Sequence, residues 1–177
     1  MGYSKLEKNL IDLMKEEQAK LGYRKEAVRL YYPLSSLNHL FEAEDSVDAM
    51  QERLIHFPED MTAKLGMLTV THKGDRFCFR IPEEGSEYVH EHMGANEFIK
   101  ELVEMLWQHD TTMEQTRALF DRHADGVICE NIDNGEFDYL LRFPESVGDP
   151  YYYCFKNEGC HIIYHRFLPE DYADFDF

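Results

Sequence analysis

Two short turn signals constrain the fold more than any other feature of this sequence. Gly74-Asp75 suits a type II′ hairpin turn, and Asn134-Gly135 is a strong signal for a type I′ turn. Residues on both sides of the first turn alternate between apolar and polar, as strands with one buried face do. Strands that follow each other as hairpins form antiparallel sheets, so these turns argue against a doubly wound parallel sheet.

Each two-residue turn also predicts a register, because residues placed symmetrically about it face each other. The first turn gives an apolar face made of Leu68, Val70, Phe77, Phe79 and Ile81. The second pairs Ile132 with Phe137, Glu130 with Tyr139, and Ile128 with Leu141. A third hairpin joins 151–155 to 160–167, and loops of two, three or four residues fit it equally well.

Helical periodicity accounts for most of the remaining chain. Ser4 and Glu7 have the spacing of a capping box for a first helix that ends at Leu21 before Gly22. Further helices are predicted from Ser35 or Ser36 to Phe41, from Asp45 or Ser46 to near Pro58, from Asn96 to His109, and from Thr111 or Thr112 to just before Gly126. The predicted fold class is therefore α+β, with an antiparallel sheet built from hairpins and packed against about four to five helices.

The 177 residues contain no linker and no low-complexity segment, which predicts a single domain over 1–177. Within it, 1–22 forms an N-terminal helical arm and 169–177 an acidic aromatic tail. That tail is either loosely packed or a short docking segment in which aromatic rings anchor and carboxylates steer.

The charge balance restricts the possible partners. The net charge is −17, with −4 in 1–60, −5 in 61–126 and −8 in 127–177. Nucleic acids and anionic membranes should be repelled, whereas a basic protein is electrostatically allowed. The chain has neither an apolar run long enough to span a bilayer nor an N-terminal signal peptide, so we expect a cytoplasmic protein. Its four cysteines lack Cys-x-x-Cys spacing and are expected to be free thiols.

Motifs for phosphate binding and for serine hydrolysis are absent from the sequence, and no cofactor is predicted. Two histidine pairs are candidate metal ligands. His90 and His92 would share one side of an extended segment, and His161 and His165 would share a strand face. The alternative is that these are ordinary surface or core histidines. Cys154 or Cys160 beside His161 would form a thiol–imidazole pair, but no oxyanion hole accompanies it.

The tyrosine run at 151–153 is unusual. Alternate strand residues point to opposite faces, so Tyr151 and Tyr153 share one face and Tyr152 lies on the other. One set should line the core, and the other could line a pocket or a protein-binding surface. The candidate binding residues are Tyr151, Tyr153, His161 and His165.

The segments Ser4-Lys5-Leu6-Glu7-Lys8-Asn9-Leu10 and Leu30-Tyr31-Tyr32-Pro33-Leu34 resemble a family of small uncharacterised bacterial proteins, catalogued as a domain of unknown function. The resemblance covers most of the chain. It implies a bacterial source, and it brings no activity and no functional residues.

Two functional hypotheses follow from the sequence. The first is a non-enzymatic interaction protein, for example an acidic antagonist or immunity-type partner of a basic protein. The second is a small-ligand-binding or metal-binding protein, or an enzyme, with its site on the C-terminal sheet face near His161 and His165.

Overall fold

The structure, a computed structural model, describes residues 2–175 and divides into two compact units. Unit 1 is Met1–Glu97 and unit 2 is Phe98–Phe177. Each has its own antiparallel sheet, of three strands in unit 1 and four in unit 2. The predicted α+β class is confirmed, while the single domain stays a prediction. The described residues contain eight α-helices, more than the four or five expected.

Unit 1 combines five helices with one small sheet. Its elements in chain order are α1 (Ser4–Leu21), β1 (Val28–Pro33), α2 (Leu34–Phe41), α3 (Val47–Arg53), α4 (Phe57–Leu65), β2 (Thr69–Lys73), β3 (Arg76–Ile81) and α5 (Glu83–His92). The strand order β1-β3-β2 places β3 in the centre. The inner sheet face is apolar and buried, with Leu30, Tyr32, Phe77, Phe79 and Ile81 in the core.

The first hairpin has the predicted register. His72 pairs with Phe77 and Val70 with Phe79. Gly74 has a positive φ of 60°, as the first central residue of a type II′ turn requires. Turn chemistry and apolar alternation agreed here, which is why the register could be derived.

Helix α1 begins at Ser4, one residue earlier than a Ser4 cap predicts, so Ser4 does not cap it. The cap residue is Tyr3, whose side chain makes no capping hydrogen bond. The Tyr3 ring packs edge-on against Phe57, and its hydroxyl donates to the Arg53 carbonyl at 2.7 Å. These contacts start the helix one residue early, so Glu7 is left to pair with Lys64 instead of closing a capping box.

Two helices of unit 1, α4 and α5, were not predicted. Pro58 was taken as the end of a helix, yet it lies in the first turn of α4, where the missing N–H costs nothing. Pro82 likewise caps the start of α5. His90 and His92, predicted to lie on an extended segment, are therefore in a helix.

Unit 2 packs two longer helices on a four-stranded meander. Its elements are α6 (Glu97–Leu106), α7 (Met113–His123), β4 (Ile128–Asn131), β5 (Tyr139–Arg142), a short 3-10 helix (Glu145–Val147), β6 (Tyr152–Asn157), β7 (Ile162–Phe167) and α8 (Pro169–Asp174). Helix α7 begins after Thr112, one of the two starts predicted, and Thr112 and Gln115 form a capping box there. The core-facing side chains of α6 are buried, including Phe98, Ile99 and Leu102, whereas Trp107, just beyond the helix end, is 71% exposed.

The predicted register of the second hairpin is wrong by one residue. Glu130 pairs with Leu140 and Asn131 with Tyr139. Asn134-Gly135 does not form a two-residue turn, because the loop extends from 132 to 138. The backbone amides of Ile132 and Asp133 both donate to the Asp138 carbonyl, at 2.9 and 3.2 Å. Two residues, Ile132 and Asp133, therefore face Asp138, as in a β-bulge. The shift by one residue reverses the predicted pairing of sheet faces between β4 and β5.

Both faces of the unit 2 sheet are covered. One carries the aromatic cluster, which we define as Phe98, Phe120, Phe143, Tyr153 and Phe155. The opposite face carries a smaller core made of Phe137, Leu140, Cys154 and Phe167. Helix α8 covers this second core with Tyr172, so 169–174 forms a helix that packs on the sheet of unit 2. Asp176 and Phe177 lie outside the described residues.

Candidate functional site

The outer face of the unit 1 sheet is exposed and basic. Every second residue of the three strands points away from the core. We call these residues the basic face: Arg29, Tyr31, Pro33, Thr69, Thr71, Lys73, Arg76, Cys78 and Arg80. All but the half-buried Cys78 are exposed. Four of the nine residues are cationic, and none is acidic. This is a marked local reversal in a chain with a net charge of −17.

The register brings like charges together on this face. Arg29 lies directly opposite Arg80, and Arg76 directly opposite Lys73. Directly opposed like charges destabilise a sheet. A bound anion would relieve this repulsion, so the arrangement is typical of a surface that receives negative charge.

Within residues 2–175, none of these four cations forms an ion pair with a carboxylate. The Arg76 guanidinium instead lies 4.8 Å from the centre of the Tyr31 ring. Tyr31 is 52% exposed at the centre of the face, in the row it shares with Cys78 and Thr71. The face thus offers two cationic rows with an aromatic and hydroxyl row between them.

A groove of about 200 Å³ opens beside the start of β1 and shares Arg29 with the basic face. Its lining combines both charge signs, with Arg24 and Arg29 against Glu17 and Glu26. At its floor, the Gln18 amide donates to the buried Ser86 carbonyl at 3.0 Å. The opposed charges within the groove make it less selective for anions than the sheet face.

The histidines at 90 and 92 do not share a side, which corrects the prediction of a metal-binding pair there. They lie in helix α5, where residues two apart point in different directions. The His90 ring stacks on Tyr23 with ring centres 4.1 Å apart, and His92 stacks on Tyr88 at 4.7 Å. Burial, with Glu87 nearby, raises the pKa of the Tyr23 hydroxyl.

The second histidine pair is also separated. His161 lies in the turn before β7, with its Nδ1 3.3 Å from Cys160 Sγ and its Nε2 3.6 Å from Glu158. His165 lies within β7, exposed, opposite Cys154 and against the Phe167 ring at 4.3 Å. No group of three His, Cys, Asp or Glu side chains among the described residues could hold a metal ion.

Tyr151 and Tyr153 line the core and not a surface, and the half-buried Tyr152 lies on the other face. The Tyr153 hydroxyl donates to Asp149 at 2.7 Å, and burial beside that carboxylate raises the pKa of Tyr153 well above its ordinary value. Arg166 lies over the Tyr151 ring at 4.0 Å. A fully buried ring such as Tyr153 cannot contact a partner in the folded state, so these two residues do not form the site proposed below.

The cysteines should differ sharply in reactivity with a thiol reagent at mildly alkaline pH. Cys160 is exposed beside His161, whereas burial raises the pKa of Cys154 to about 12. We expect Cys160 to react first and Cys154 to react after unfolding, because the thiolate is the reactive form. A Cys160→Ser variant should lose the fast phase of a colorimetric titration. A Cys154 that reacts rapidly in native protein would contradict its burial.

Two further findings concern membranes and relatives. Among the described residues, no helix is both long and apolar enough to cross a lipid bilayer. The family model described as "Domain of unknown function, E. rectale Gene description (DUF3877)" matches residues 3–175. No curated protein and no solved structure matches the chain.

Proposed function

Since the chain belongs to the DUF3877 family, a domain of unknown function from a bacterium, we propose its function from its own surface: it is a non-enzymatic cytoplasmic protein that binds an acidic protein partner on the basic face. The observation that carries this proposal is the opposition of Arg29 to Arg80 and of Arg76 to Lys73 on a face without carboxylates.

Charge segregation supports a binding role over a role in solubility. Unit 1 has 12 basic and 18 acidic residues, and unit 2 has 6 and 17, which gives net charges of −6 and −11. Acidic residues are thus abundant in unit 1 and yet absent from its outer sheet face. If charge served solubility alone, mixed signs on this face would avoid the repulsion between opposed cations.

The basic partner expected from the sequence stays a prediction, and unit 2 is where it would find the denser negative charge. The basic face instead favours an acidic partner, because its four exposed cations are electrostatically complementary to carboxylates. Both partners agree with a binding protein, and they differ in which unit makes the contact.

The binding test uses a fluorescently labelled oligo-glutamate peptide as probe. We expect its anisotropy to rise with wild-type protein and the affinity to fall steeply as NaCl is raised from about 50 to about 200 mM, as exposed charge pairs are screened. Arg80→Glu should abolish this binding. Lys8→Glu, which makes the same charge change on the exposed surface of α1, should retain it. Equal loss in both variants would show a net-charge effect and overturn the proposed site.

The same Arg80→Glu variant should also be more stable than wild type. It replaces a repulsive cross-strand pair with Arg29 by an attractive one, and we expect a gain of about 0.5 kcal/mol. Urea unfolding followed by circular dichroism measures this difference. A variant that gains stability while losing binding is the signature of a functional surface retained against stability. A loss of stability would contradict the like-charge interpretation.

A further inference from the structure

The spacing of charges on the basic face defines the kind of acidic segment that fits. We infer that the partner segment binds in an extended conformation, with acidic side chains four residues apart and an aromatic or apolar side chain midway between them. This inference rests on the proposed function and goes further by specifying the pattern of the partner.

The two cationic rows are separated along the strands. Arg29 and Arg80 form one row, and Arg76 and Lys73 form the other. Arg76 and Arg80 are four residues apart on β3, which corresponds to about 13 Å at the rise of an antiparallel strand. In an extended segment, every second side chain shares a face, so residues four apart lie at this same distance on one side.

The middle row defines the central position. Tyr31, Cys78 and Thr71 lie across the sheet between the cationic rows. An extended segment that anchors acidic groups on Arg76 and Arg80 brings its central side chain over Cys78, beside the Tyr31 ring, which is 52% exposed. One face of that ring is already occupied by Arg76 at 4.8 Å, so an incoming side chain packs against the edge or the open face.

Single-stranded nucleic acid fits these observations less well. It binds to sheets through several aromatic rings on which successive bases stack, and the basic face offers one, Tyr31. The net charge of −6 on unit 1 and −17 on the whole chain also opposes the approach of a dense polyanion. A protein segment with two carboxylates carries far less negative charge than a nucleic acid, and its carboxylates contact both cationic rows.

Two synthetic peptides of identical composition test the spacing. The spaced peptide carries two glutamates four residues apart with phenylalanine midway, and the adjacent peptide carries the glutamates side by side; the other positions are threonine. We expect the spaced peptide to bind about threefold to fivefold more tightly, the contribution of one additional exposed ion pair. Anisotropy at low salt measures both affinities.

Threonine variants test each row without disturbing the sheet, because Thr69 and Thr71 already occupy the same face and threonine favours strands. Arg80→Thr and Arg76→Thr, which remove the two cations that define the spacing, should each abolish the preference for the spaced peptide, while Lys8→Thr should leave it unchanged. Circular dichroism establishes that all three variants retain the fold.

The outcomes separate the spacing from the proposed function. A preference for the spaced peptide that disappears in both row variants supports the inference. Equal affinity for the two peptides overturns the spacing, although oligo-glutamate binding that is lost in Arg80→Glu would still support the binding role. Tighter binding of oligothymidylate than of either peptide, with loss in the same variants, overturns a protein segment in favour of single-stranded nucleic acid.

Discussion

Phe120→Ala is expected to lower the free energy of unfolding by about 3–5 kcal/mol, the cost of removing a large ring from a packed core. Phe120 is fully buried at the centre of the aromatic cluster. Its ring centre lies 4.7 Å from that of Phe98, 5.0 Å from Phe143 and 5.2 Å from Tyr153. These three rings are held by α6, by the residue that follows β5 and by β6, so they cannot all move into the cavity that alanine would leave. Urea denaturation followed by far-UV circular dichroism measures the change.

Trp107→Ala provides the matched control for this prediction. It removes an even larger aromatic side chain, but one that is 71% exposed, so we expect a change of about 0.5 kcal/mol or less. A loss below about 1 kcal/mol in Phe120→Ala would mean that the site collapses around the alanine, and it would contradict the tight packing of the cluster.

Gly85→Ala should reverse the usual effect of placing alanine in a helix. Alanine normally stabilises a helix interior by about 0.5–1 kcal/mol relative to glycine. Here a Cβ would lie 2.4 Å from the Leu65 carbonyl oxygen and 2.5 Å from Ile81 Cγ2. The Ile81 methyl could shift, but the Leu65 carbonyl belongs to the backbone at the end of α4. We therefore expect α5 to be pushed away and stability to fall by about 3 kcal/mol.

The comparison for Gly85→Ala is Glu91→Ala, at an exposed position of the same helix. It should change the free energy of unfolding by no more than about 0.5 kcal/mol. Thermal or urea unfolding of both variants is sufficient. If Gly85→Ala instead raised stability, α4 and α5 would have to be further apart than the structure places them.

Sequence reasoning succeeded where two independent signals agreed. At Gly74-Asp75 the turn chemistry and the alternation of apolar residues gave the same register, and that register is observed. At Asn134-Gly135 the turn signal stood almost alone, since the predicted shared face included Glu130. The Asn134 side chain accepts hydrogen bonds from the amides of Glu136 and Phe137, which closes a longer loop. The hydrogen bonds of the Asn134 side chain therefore set the register, and the Asn134-Gly135 dipeptide alone did not predict them.

Proline was the second source of error. Pro58 and Pro82 each lie at the beginning of a helix. A proline in the sequence can mark either the start of a helix or the point where one stops, and the residue alone does not distinguish the two. Because the helix that begins after Pro82 was not predicted, the stretch 90–92 was interpreted as extended, which placed His90 and His92 on one side. The mistaken metal pair was therefore a secondary-structure error and not an error of ligand chemistry.

The basic face was partly accessible from the sequence. The first hairpin already directed Thr69 and Thr71 outward, and the same alternation directs Arg76 and Arg80 outward. Charges summed over long segments concealed this, because 61–126 has a net charge of −5. The pairing of β1 with β3, which adds Arg29 and Tyr31, joins residues about fifty positions apart and has no local signal.

Opposed cations also have a consequence for how this family can vary over time. Where a cation on the basic face is not needed for binding, mutation toward a neutral strand residue is favoured by stability, because it removes a repulsion. A lineage that lost the partner should therefore lose Arg29 or Arg80, and Arg76 or Lys73, faster than it loses other exposed residues. Retention of both members of each pair in distant members of the family would indicate continuing selection for the partner.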